Sequence, residues 1–203
     1  GLRLLLPLSG HPGDLVIARA VVWGLAATSF LLVCGAGCSD APPRRDPTGE
    51  RFPKVTGTSL AGDEVSLPPA KPHILLVGYL QEAQFDLDRW ILGLLQAGAP
   101  VPILEVPTIP SRIASVFAGS IDEGMRGGIP KAEWRGVVTL YGDSADPVAQ
   151  LTGSENGQNG RVLLVDGSGT VLWFHDEGYS AASLLSLLAA ARKVAPTISP
   201  TPN

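Results

Sequence analysis

The chain divides into short segments by the spacing of its apolar residues. "FPKVTGTSLAGDEVSLP" (52–68) alternates apolar and polar positions about Ala61-Gly62-Asp63, which predicts a β-hairpin. "HILLVGY" (73–79) is a continuous apolar run, the pattern of a central strand covered on both faces. Next, Leu87, Trp90, Ile91, Leu94 and Leu95 fall at offsets 0, 3, 4, 7 and 8, one stripe of a helix over 86–97. "VPILEVP" (101–107) and "VVTLYG" (137–142) predict a second and a third inner strand. Asp146-Pro147 opens a short helix through Leu151. "RVLLVDGSGTVLWFH" (161–175) predicts a hairpin turning at Asp166-Gly167-Ser168-Gly169. "SAASLLSLLAAARK" (180–193) is the last helix, with Ser180 as N-cap and Arg192 and Lys193 at the negative end of its dipole.

Strands flanked by helices in this order predict an α/β domain, with a mixed sheet covered on both sides. An inner βαβ unit followed by a terminal ββα unit is the thioredoxin arrangement, here with an N-terminal β-hairpin and an insert before the third inner strand. In that arrangement a redox Cys-x-x-Cys occupies the turn after the first inner strand. This chain has Leu80, Gln81, Glu82, Ala83, Gln84 and Phe85 there. Its two cysteines, Cys34 and Cys38, both precede the domain, so a domain disulfide, a cysteine zinc site and dithiol catalysis are excluded. Thioredoxins also place a cis-proline before the strand facing that turn. The corresponding position, near Gly160, carries none.

Composition sharpens this picture. Hydrophobic residues are 45% and charged residues 17% of the 203, enough for a real core. The net charge of −4 and the lack of a Lys/Arg run argue against a nucleic-acid partner. Residues 20–37, "AVVWGLAATSFLLVCGAG", are uncharged, follow Arg19 and end before "CSD". This resembles a bacterial lipoprotein signal, with Ala36 and Gly37 before a lipidated Cys38, although Gly35 stands where Leu is usual. An uncleaved transmembrane anchor is the alternative. Both put the domain on the extracytoplasmic face of a bacterial membrane. Residues 1–14 fit neither, and a start near Leu15 or Val16 would give a conventional signal. The expected organisation is a leader over 1–38, a flexible Pro-rich tether over 39–50, a thioredoxin-like domain over 51–195 and a disordered tail over 196–203.

Two further stretches, "FAGSIDEGMRGGIPKAEWRGVVTLYGD" (117–143) and "GRVLLVDGSGTVLWFHDEG" (160–178), carry a more specific likeness. With Ile121-Asp122, Met125-Arg126, Ile129-Pro130, Leu140-Tyr141 and the Leu163-to-Trp173 hairpin, the chain resembles the thioredoxin-like family of the mitochondrial ATP synthase assembly factor numbered ten and its bacterial and plastid relatives. The resemblance implies a role in assembling or stabilising a membrane complex. In place of an Arg- and Ser-rich transit peptide, this chain has its lipoprotein-like leader.

The Gly-rich insert reads as a loop whose Asp122, Met125, Arg126, Ile129 and Pro130 form a candidate partner surface, with Met125 as core filler the alternative. No catalytic residue, metal site or cofactor is expected. His73 and His175 read as strand-end residues, and "HDE" (175–177) points its side chains to alternating faces. Glu82 and Asp86 read as acids at a helix N-terminus, with a carboxylate pair as the alternative. The expected function is a redox-inert, membrane-tethered binding module. The alternatives are a small-molecule or cofactor carrier and an enzyme using non-thiol acid/base chemistry.

Overall fold

The computed structural model describes residues 41–110 and 116–195. The leader with Cys34 and Cys38, and the tail, lie outside the described residues. Strand β1 (Val55–Ser59) and strand β2 (Glu64–Leu67) form the N-terminal hairpin, and β3 (His73–Gly78) leads through a 3-10 turn into α1 (Gln84–Gln96). Strand β4 (Ile103–Ile109), helix α2 (Ala118–Gly128), β5 (Val138–Tyr141) and α3 (Asp146–Thr152) follow. The chain closes with β6 (Arg161–Val165), β7 (Val171–His175) and α4 (Ala181–Val194).

The strands form one seven-stranded sheet in the order β2-β1-β5-β4-β3-β6-β7. Strands β3, β4 and β5 are parallel neighbours, while β6 runs antiparallel to β3 and β7 to β6. Parallel strands joined by a crossover helix, then an antiparallel hairpin and a terminal helix, are the thioredoxin-like fold. The N-terminal hairpin extends the sheet beyond β5.

Side-chain alternation along β3 divides the core. Ile74 and Leu76 face a layer made by Leu87, Trp90, Ile91 and Leu94 of α1 and Leu184, Leu187 and Leu188 of α4. Leu75 and Val77 face the other layer, closed by Val148 and Leu151 of α3 and by Phe52 and Leu67. The four β3 residues have no exposed surface, which explains the unbroken apolar run. Leu95, counted in the α1 stripe, is a correction. It lies at the edge of the helical face and is 55% exposed.

The insert is also a correction. It is the helix α2, not a loop, despite Gly119, Gly124, Gly127 and Gly128. A Cβ on Gly119, Gly124 or Gly127 would meet no atom within 4 Å, so these glycines lie on the open side. Tertiary packing overrides their weak helix propensity. Met125 and Ile129 pack against Leu60 and Val137 in a satellite core and are only 2% and 5% exposed. The Arg126 Nε donates to the Leu60 carbonyl at 2.8 Å, and its guanidinium lies 5.8 Å from the Trp134 ring centroid. Asp122 is buried and accepts from the Tyr141 hydroxyl at 2.8 Å. Pro130 starts the 3-10 turn Lys131–Gly136. The expected contact surface is thus an internal seam that docks α2 onto β1 and β5.

Residues 41–50 are the third correction, because they are bound to the domain and do not form a free tether. The Pro42 carbonyl accepts from Ser154 and Glu155 N–H at 3.0 and 3.1 Å. Gly49 and Glu50 exchange backbone hydrogen bonds with Val171 at 2.8 and 2.9 Å. Composition signalled a linker, but the backbone groups of this strap find partners about a hundred residues away.

Packing in the satellite core sets an expected outcome. Met125→Ala opens a cavity and lowers stability by about 2–4 kcal/mol in denaturant unfolding. Gly124→Ala, on the open side of the same helix, raises it by up to about 1 kcal/mol.

Candidate functional site

At the carboxyl end of β3 the chain turns at Leu80, makes the 3-10 turn Gln81–Ala83 and enters α1. Ala83 is buried, while Leu80 and Phe85 are 53% and 66% exposed. Across from this turn stand the 153–160 segment before β6 and residues Asp176 to Tyr179 after β7. Between them opens a cleft of about 490 Å³, lined by Glu82, Phe85, Arg89, Gln158, Asn159 and Glu177 among others.

Asp86 ties the two sides together. It is buried, and its carboxylate accepts from Gly160 N–H at 3.0 Å and Tyr179 N–H at 2.6 Å. The sequence pointed to Asp86 as a helix-terminus acid, yet its partners are the backbones of two other segments. At Gly160, where thioredoxins carry proline, a Cβ would lie 2.0 Å from Leu87 Cδ2. A proline there would also lack the N–H that Asp86 binds. The missing proline is therefore built into the packing.

Arg161 lies behind the wall of the cleft and holds its 153–159 segment, and sequence reasoning did not single it out. It is 1% exposed. Its guanidinium donates to the carbonyls of Gly153 (3.1 Å), Asn156 (3.1 Å) and Asn159 (2.7 Å), and also to Glu155. It lies 5.4 Å from the centroid of the Tyr79 ring. Burial pushes the guanidinium down from its ordinary value. The available signal was a charged residue heading the all-apolar strand "RVLLV" after the polar run "SENGQNG".

Arg44 of the strap closes the cleft on its other flank. Its Nε and Nη2 donate to the two Asp176 carboxylate oxygens at 2.7 and 2.8 Å, and Nη2 also reaches Glu177 at 2.6 Å. The Asp176 side chain is only 6% exposed. The hydrogen bond from Arg44 holds the Glu177 carboxyl below its usual range.

The "HDE" residues do not converge. The His175 ring stacks on Trp173 and its Nε2 contacts the Gly178 carbonyl at 2.7 Å, while Asp176 and Glu177 are taken by Arg44. The His73 Nδ1 contacts the Lys71 carbonyl at 2.9 Å. Among the described residues, no group of three or more His, Cys, Asp or Glu side chains is placed to share a metal ion. Trp90 sits in the core with Trp173, His175 and Tyr179 edge-on at 5.4–6.0 Å.

Glu82, Arg89 and Gln158 line the cleft without a hydrogen-bond or ion-pair partner among the described residues. With exposed Leu80 and Phe85 at the mouth, the cleft offers one acid, one base, a side-chain amide and an apolar rim. None of these is a nucleophile of the kind the scaffold otherwise carries in that turn. The arrangement suits recognition.

No family model matches the chain, and no curated protein sequence matches it. Among solved structures, it is similar to a thiol:disulfide interchange protein from Bacteroides sp., at 19% identity over 74% of this chain and 92% of that one, with TM-score 0.47. It is similar to a SCO1/SenC family lipoprotein from Bacillus anthracis str. Ames, at 12% identity over 76% and 100% of the two chains, with TM-score 0.48. It is similar to a thiol peroxidase from Chromobacterium violaceum, at 10% identity over 75% and 91%, with TM-score 0.47. The strand order, not these likenesses, defines the chain as a thioredoxin-like module.

The Tyr79 hydroxyl, hydrogen-bonded to Thr152 at 2.6 Å beneath the cleft wall, is pushed up to about 12 by burial from an ordinary value of 10.0. Burial and the Asp122 hydrogen bond raise Tyr141 as well. A tyrosine raised on folding contributes stability below its unfolded value and loses it as pH climbs through the folded one. Unfolding free energy should therefore fall between about pH 10 and pH 12, by on the order of 2 kcal/mol from Tyr79. Tyr79→Phe should flatten that part of the curve when denaturant midpoints are followed against pH.

Proposed function

We propose that the chain is a redox-inert thioredoxin-like binding module, tethered through Cys38 to the extracytoplasmic face of a bacterial membrane. There it assembles or stabilises a membrane complex. One observation carries the binding role. The turn that holds a dithiol in the thioredoxin arrangement instead presents exposed Leu80 and Phe85 near Glu82, Arg89 and Gln158, which have no partner among the described residues. The anchor and the assembly role are supported by Arg19, the apolar 20–37 run, Ala36-Gly37-Cys38 and the family resemblance. The partner chemistry that fits is a polypeptide segment with both charges and an apolar side chain. Glu82 and Arg89 pair with its charges, Gln158 bonds its backbone, and Leu80 and Phe85 cover its apolar group. The surface first expected on the 121–130 block moves to this cleft, because Met125 and Ile129 are spent on packing.

Photo-crosslinking of the full chain in its native membrane tests this. A photoreactive residue at Phe85 should give a discrete adduct with a membrane protein, and one at Glu64 should give none. Glu82→Ala with Arg89→Ala should lower that yield about tenfold or more, the scale of an interface hot spot. The melting midpoint should move by only a few degrees. Equal adducts from Glu64 and Phe85 would overturn the cleft assignment. Insulin reduction above blank would overturn redox inertness.

A further inference from the structure

The strap spans the height of the sheet. At its lower end, Gly49, Glu50 and Phe52 bond to Val171 and Gly169, at the β6–β7 turn. At its upper end, Pro42 bonds to Ser154 and Glu155, and Arg44 to Asp176 and Glu177, at the cleft. Gly153 makes room for this passage, since a Cβ there would lie 2.4 Å from the Pro43 carbonyl oxygen. Pro42, next to the first described residue, therefore lies at the cleft end. Cys38 is six residues before Arg44, a reach of at most about 20 Å. Were the strap free as far as Arg51, the reach would be about 45 Å, longer than the sheet is tall.

We infer that the docked strap aims the cleft at the membrane, so that its partner is a protein segment lying at the bilayer surface rather than a domain projecting far from it. The inference rests on the tether proposed above. A tether alone permits any orientation, whereas a strap clamped at both ends of the sheet fixes one. Arg44 has a second consequence. It offsets one of the two negative charges of Asp176 and Glu177 on that flank, which weakens their repulsion by anionic lipid headgroups.

The test uses full-length protein purified from membranes with its native amino terminus and held on phosphatidylethanolamine/phosphatidylglycerol vesicles carrying a headgroup quencher. A fluorescent non-natural residue is placed either at Gln158, beside the cleft, or at Ala61, in the β1–β2 turn at the far end. Most of the Gln158 emission should be lost, while Ala61 keeps most of its own. In Arg44→Ala with Arg45→Ala, which removes the strap's side-chain bonds to Asp176, Glu177 and the Gln150 carbonyl and leaves only backbone bonds, those of Pro42 among them, to hold its upper end, the difference should shrink. Equal quenching at both positions in wild-type protein retained on vesicles would overturn the orientation but leave the tether standing. Protein that washes off the vesicles would overturn the tether, and the orientation with it.

Discussion

A guanidinium buried among backbone carbonyls holds the cleft end of this molecule together. Arg161 donates to four carbonyls of the 153–159 segment while itself 1% exposed. That segment has no helix or strand to satisfy its backbone, so the side chain does so. Losing the guanidinium would leave one buried and three part-buried acceptors without it, at about 1–3 kcal/mol for the buried one. The other parts of the site are laid on this loop. Gly153 passes beneath the strap, Ser154 and Glu155 bind Pro42, and Gln158 and Asn159 line the cleft. Asp86 fixes the opposite side by binding Gly160 and Tyr179.

With the wall set this way, the scaffold keeps the geometry of a thioredoxin-like cleft without its chemistry. Leu87 occupies the space over Gly160, and Asp86 takes its N–H. The turn opposite carries Leu80, Glu82 and Phe85, and no cysteine exists beyond Cys38. What persists is a shaped surface on which Glu82 and Arg89 have no ion-pair partner among the described residues. Charged groups so placed beside an exposed aromatic make physical sense as partner contacts.

Much of the fold was legible because strands and helices bury faces at fixed periods. The β3 run, the α1 stripe, both hairpins and the Ser180 cap, which accepts from Ser183 N–H, all follow from local pattern. The failures share a cause. Glycine composition said loop over the insert at 119–130, but the spacing of Ile121, Met125 and Ile129 puts one apolar face against Leu60 and Val137. Polar, Pro-rich composition said tether over 39–50, but Arg44 within it meets Asp176 across 132 residues of sequence. Arg161 was not singled out, because its acceptors are carbonyls and carbonyls have no residue signature. Local spacing reveals periodic burial; it does not reveal which distant backbone atoms an irregular segment will meet.

The most direct measurement is native-state hydrogen exchange on the full chain, compared with Arg161→Met. If Arg161 organises the wall, and the wall seats the strap, the Ser154 and Glu155 amides that bind Pro42 should lose their protection. Amides in β3, held by β4 and β6, should keep theirs. Protection unchanged at Ser154 and Glu155 in the variant would contradict the account.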